Sequence, residues 1–166
     1  MKNFFRKVAF GFKPEEKAPS DPLMWAQKQV ETIPELNWKG KYIYSEKEMR
    51  KHWIKQRVTE ETTFKKKYKN DPEGLRIAEK VLEDDSGAKF WPNNEICMRH
   101  AEAVRSNSPV LAKLWYFWTN HFTISDAQSL PSFSTGAYQR EFIRANMDKT
   151  FETMAIEGTI AWPMIM

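Results

Sequence analysis

The stretch Leu111 to Phe122, L-A-K-L-W-Y-F-W-T-N-H-F, restricts this chain more than any other part of it. Leu111, Leu114, Trp115 and Trp118 recur at helical spacing, Pro109 is placed as a first helical residue, and Asn120 and His121 fall where the helix should end. A segment this aromatic is stable only when other elements cover it, so it predicts the centre of a core. With 41 % apolar and 29 % charged residues, the 166-residue chain can supply that cover and reads as soluble and globular. It contains no apolar run of about 18 residues or more, which argues against a membrane span.

The rest of the sequence reads as helices joined by short breaks. Residues 1–20 predict an arm that packs through Phe4, Phe5, Phe10 and Phe12, with Gly11 and Pro14 as punctuation. Ser20-Asp21-Pro22 predicts a helix start, and that helix should end before Pro34. Pro34, Asn37 and Gly40 mark residues 34–44 as a loop. Ser45-Glu46-Lys47-Glu48 has the form of a capping box, and a long helix should follow it through Met49, Trp53, Ile54, Val58, Phe64 and Tyr68. Further helices are expected from Pro72 to Glu83 and from Trp91 onward, the latter with Ile96, Cys97, His100 and Val104 inward. Ser125 to Thr135 reads as a loop from its Ser, Asp and Pro content. Thr135 then caps a helix with Tyr138, Phe142 and Ile143, and Asp148 caps a last one through Phe151, Met154, Ala155 and Ile156. The expected architecture is all-α, an irregular single domain over residues 1–166 with about six to seven helices. The last nine residues, G-T-I-A-W-P-M-I-M, are uncharged and apolar, which fits a fragment better than a usual polar chain end.

Composition narrows the chemistry. Cys97 is the only cysteine, which excludes an internal disulfide and a cysteine-rich zinc site. The basic start lacks both the apolar region of a Sec signal and the paired arginines of a twin-arginine signal. The compartment is therefore unassigned, cytoplasmic by default with envelope association open. Between Lys39 and Lys69 eleven bases face four acids, and between Asn70 and Arg105 eight acids face five bases. Such asymmetry is better read as two solvated faces than as a nucleic-acid surface.

His121, beside Asn120 at a helix end, is the sharpest candidate for an acid, base or ligand; a capping role is the plainer alternative. Glu141 and Arg144, spaced i,i+3, read either as a buried pair facing His121 or as an ordinary helix ion pair. Gln139 and Arg140 are expected to point to water. A metal would need His121 with Glu141 or Asp126, and since His52 and His100 lie on separate helices no metal or other cofactor is expected. The serines after His121 lack a nucleophile elbow.

Three segments together resemble the bacterial domain-of-unknown-function family 1800. Phe10-Gly11-Phe12 with Pro14, then Asp21-Pro22, Trp25 and Gln29, is similar to the family's opening. Phe117-Trp118-Thr119-Asn120-His121-Phe122 resembles its central Phe-Trp-x-Asn-His-Phe signature. Tyr138 to Arg144 followed by Phe151 is similar to the helix after it, and Trp162-Pro163-Met164-Ile165 approximates a later Pro-Ala-Met-Leu. Ala9 replaces the usual Arg before Phe-Gly, and Ala145, Asn146 and Lys149 stand where Pro, His and Gly are usual. The resemblance implies a mostly helical protein without an assigned activity, of which this chain would be the amino-terminal part. It also implies a partner, because such proteins are often encoded beside exported, sulfatase-like proteins. The reading is a binding or assembly partner of an envelope-associated or exported protein; the alternative is an enzyme with a site around His121, Asn120, Glu141 and Arg144, completed by residues beyond 166.

Overall fold

The aromatic stretch does form the expected helix. α7 runs over Pro109–His121 with proline in its first turn, where a missing N–H leaves no intrahelical bond unmade. Leu111, Ala112, Trp115 and Thr119 are buried along one side of it. The structure, a computed structural model, describes residues 2–11, 15–36, 38, 43–55, 60–86, 91–124 and 129–165. The predicted roles of Phe12, Pro14, Asn37, Gly40, Val58, Ser125 and Asp126 fall outside those residues.

Among the described residues the fold is helical and without strands, with ten α-helices rather than the six to seven predicted. The others are α1 Lys2–Val8, α2 Pro22–Lys28, α3 Glu46–Trp53, α4 Glu61–Lys67, α5 Pro72–Ser86, α6 Trp91–Arg105, α8 Ser129–Tyr138, α9 Phe151–Ile160 and α10 Trp162–Ile165. The surplus has identifiable sources. The amino-terminal arm opens with α1, whose Phe5 and Ala9 flank are buried. The long helix expected after Ser45 is present as α3 and α4. The stretch expected to be loop carries α8, and α10 follows α9 after a single residue.

Local chemistry accounts for the starts. The Asp21 carboxylate accepts from the amides of Leu23 and Met24 at 3.0 Å each. In the capping box ahead of α3, the Glu48 amide donates to Ser45 Oγ at 3.3 Å and the Ser45 amide donates to Glu48 at 2.8 Å. α9 is capped by Thr150, which accepts from the Thr153 amide at 3.2 Å, rather than by the expected Asp148. Asp148 pairs with Lys149 instead.

Two buried clusters hold the helices. One gathers Trp115, Ile124, Tyr138, Ile143, Met154 and Ala161, so α7, α8, the turn after it and α9 share it. The other joins Met49 of α3 to Ala137 of α8, with Trp53 and Trp162 against them. α8 therefore sits at the middle of the fold. Its Ser134, Ala137 and Tyr138 are fully buried, and a Cβ on Gly136 would overlap the Glu95 side chain of α6. Gly136 lies in the seam along which α6 and α8 approach. α6 consequently turns Glu95 inward, and Ile96, Cys97, His100 and Val104, expected inward, lie exposed.

Two ties bind the amino-terminal part to α7. Gln29 Oε1 accepts from the Val110 amide at 3.1 Å while its Nε2 donates to the Trp25 carbonyl at 3.3 Å. Lys113 Nζ donates to the carbonyls of Arg6 and Ala9, at 2.6 and 3.0 Å, and so closes the carboxyl end of α1.

Candidate functional site

α8 passes without a break into a π-helical turn, Gln139–Ile143, and then a 3-10 turn, Arg144–Asn146. Such a wide turn inserts a residue into the helical register, a departure often met where a fold needs side chains aimed off the ordinary pattern. Here it aims three polar residues, Gln139, Arg140 and Glu141, at α6 and at the start of α3. Trp115 Nε1 of α7 donates to the Gln139 carbonyl at 2.9 Å and fixes the turn from one side.

Arg140 occupies the centre of this arrangement. Its Nε lies 3.2 and 3.1 Å from the two Glu95 oxygens, and Nη2 lies 2.8 Å from Glu95 Oε1. Nη2 also donates to the Tyr44 carbonyl at 2.6 Å, and Nη1 is 3.4 Å from Glu141 Oε1. The other Glu141 oxygen accepts from the Glu46 amide, in the first turn of α3, at 3.1 Å. The side chains of Glu95 and Arg140 are 4 % and 15 % exposed, so the charges are removed from most of their water and depend on each other. One residue further out, Arg99 Nη1 donates to Gln139 Oε1, and the Arg99 guanidinium lies 4.8 Å from the Tyr116 ring centre. Gln139 and Arg140, expected to face water, thus bind α8 and the π turn to α6 and α3.

The residues singled out from sequence do not meet in one place. His121 is exposed at the end of α7, its ring 4.4 Å from that of Phe117 and 5.7 Å from that of Trp118. Asn120 beside it is exposed as well. Glu141 belongs to the Arg140 arrangement. Arg144 is 7 % exposed, donates to the Pro34 carbonyl at 2.6 Å, and lies 5.6 Å from the Trp115 ring centre. Among the described residues no hydrogen bond or ion pair joins His121 to Glu141 or Arg144. Glu95, Arg140 and Arg99 were not legible as a group, because Glu95 and Arg140 are 45 positions apart.

Burial pushes the Glu141 carboxyl above its usual value of 4.5; the Glu46 amide and Arg140 oppose that rise, and the Glu46 and Glu95 carboxylates add to it. The folded form therefore holds this proton more tightly than the unfolded form. Its contribution to stability is greatest in acid and is lost as pH rises from the ordinary carboxylate value through the raised one. Glu141→Gln removes that titration and keeps an oxygen for the Glu46 amide. The unfolding free energy of the wild type minus that of the variant is expected to fall as pH rises above the usual carboxylate value of 4.5. Urea titrations across that range measure it, and a flat difference would show that Glu141 does not titrate abnormally.

Among the described residues no group of three or more His, Cys, Asp or Glu is placed to hold a metal ion, and no helix is long and apolar enough to cross a membrane. No curated protein and no solved structure matches the chain. A family does: the sequence matches DUF1800, described as a protein of unknown function, over residues 3–166. With the match running from α1 through α10, the chain belongs to the DUF1800 family.

Proposed function

We propose that this helical protein works by binding, as an assembly partner of an envelope-associated or exported protein of the sulfatase-like kind that the family resemblance implies. What supports the reading is the aromatic surface where α7 ends against α9. Phe117 and Phe151 are 48 % and 62 % exposed, and both pack on Trp118, at ring distances of 5.0 and 5.7 Å. His121 adjoins the Phe117 and Trp118 rings. Exposed aromatics gathered in this way are the usual anchors of protein interfaces. An enzyme centred on His121 has less behind it, because Glu141 and Arg144 are committed to Glu46 and Pro34.

The test is co-purification with the exported sulfatase-like protein, comparing wild type with Phe117→Asp/Phe151→Asp. Both side chains are largely exposed, so the variant should retain its thermal stability. If both are anchors, each worth about 2 kcal/mol, affinity should drop by roughly three orders of magnitude in the double variant. No complex with the wild type, or equal affinity in the folded variant, would overturn the reading.

A further inference from the structure

Between the end of α6, the start of α7 and the 3-10 turn lies a cavity of about 10 Å³. Its polar lining is Glu102, Ser106, Ser108 and Arg144, and the buried side of α7 forms the apolar wall. Arg144 carries five N–H donors. One contact to the Pro34 carbonyl at 2.6 Å is the only hydrogen bond its guanidinium makes among the described residues. The Trp115 ring covers one face of the guanidinium, but a ring accepts none of the in-plane N–H bonds. A guanidinium removed from most of its water gains from any further acceptor within reach of its donors.

Glu102 is the nearest charge of opposite sign, and it attracts Arg144 without touching it: among the described residues no ion pair joins them. The Ser108 hydroxyl, at the entrance to α7, makes no capping bond. The Ser108 amide instead donates to Ser106 Oγ at 3.0 Å, turning both serines into the lining. The cavity thus offers donors on one wall, a carboxylate on another, and hydroxyls between them.

We infer that this cavity is a binding site for one ordered water molecule that accepts from Arg144 and donates to Glu102 or a serine hydroxyl. The size suits it, since roughly 10–15 Å³ is the room that one water needs. Charge selects it as well. An anion would meet the Glu102 carboxylate and a cation the Arg144 guanidinium, whereas a neutral dipole satisfies both. The water would take up one or two of the remaining Arg144 donors and link α6, α7 and the 3-10 turn through a single bridge. This holds whether or not the protein binds an exported partner.

A crystal structure of the wild-type protein that resolves ordered solvent tests the inference, with a second crystal grown in bromide in place of chloride. The expected result is one peak within hydrogen-bond distance of an Arg144 nitrogen and an oxygen of Glu102, Ser106 or Ser108, unchanged and without anomalous signal in bromide. An anomalous peak at the site would make it a halide site. A dry cavity, or a Glu102 carboxylate closed directly onto Arg144, would equally overturn the assignment.

Discussion

Replacing Arg140 with alanine is expected to destabilise the protein by about 3–5 kcal/mol, the usual cost of breaking a buried ion pair from one side. The loss is not of attraction alone. Glu95 is 4 % exposed, and without the guanidinium its carboxylate would remain buried with no counter-charge. The Tyr44 carbonyl and one Glu141 oxygen would lose their donor at the same time. With total stabilities typically about 5–15 kcal/mol, such a change takes a large fraction of what holds a domain folded. Urea unfolding measures it. A second variant separates charge burial from packing: Glu95→Leu combined with Arg140→Met leaves no buried charge, so it should lie closer to wild type than Arg140→Ala does. A cost for Arg140→Ala within about 0.5 kcal/mol of zero, the range of an ordinary surface change, would mean that the arrangement contributes nothing.

Gly136→Ala is the second large effect, and its sign is decided by geometry rather than propensity. In an open helix the change would gain about 1 kcal/mol. Here the new Cβ would overlap the Cβ and Cγ of Glu95 and come within 2.7 Å of its Cδ. The far end of that side chain is held by Arg140, and its near end is fixed to the backbone of α6, so the helices themselves must part. The expected outcome is a net destabilisation of about 1–3 kcal/mol, larger for Gly136→Val, read as a lower melting temperature. Glu95→Ala in the same chain should relieve part of the clash, so the two changes would be non-additive in a double-mutant cycle. A raised melting temperature for Gly136→Ala would show that α6 and α8 are further apart than described.

These two sites also mark where sequence reasoning reached its limit. The central helix was legible because Leu111 and Trp115 repeat at a helical interval and Pro109 suits a first turn. The capping box was legible because Ser45 and Glu48 interact within one turn. The first part of α8 was not, since serine, aspartate and proline carry a loop signal that reports local preference and says nothing of a neighbouring helix needing close approach. The Glu141 and Arg144 pair was misread for a related reason. Spacing of i,i+3 places two residues on one face of a regular α- or 3-10 helix, but here they are split between a π and a 3-10 turn. Arg140 and Glu95 left no local trace. Nothing in the neighbourhood of either one announces a partner 45 residues away.

The Gln29 bridge bears on how chains of this kind can vary. Its amide nitrogen reaches the carbonyl of Trp25, one helical turn earlier, while its amide oxygen caps the first free amide of α7. The distance from Trp25 to Gln29 is therefore set by helix geometry and cannot change by even one residue without turning the amide away from α7. The eighty residues between Gln29 and Val110 are under no such constraint from this bond, which needs only that both ends arrive. Length changes should accumulate in that interval across related chains, while the short Trp-to-Gln interval stays rigid.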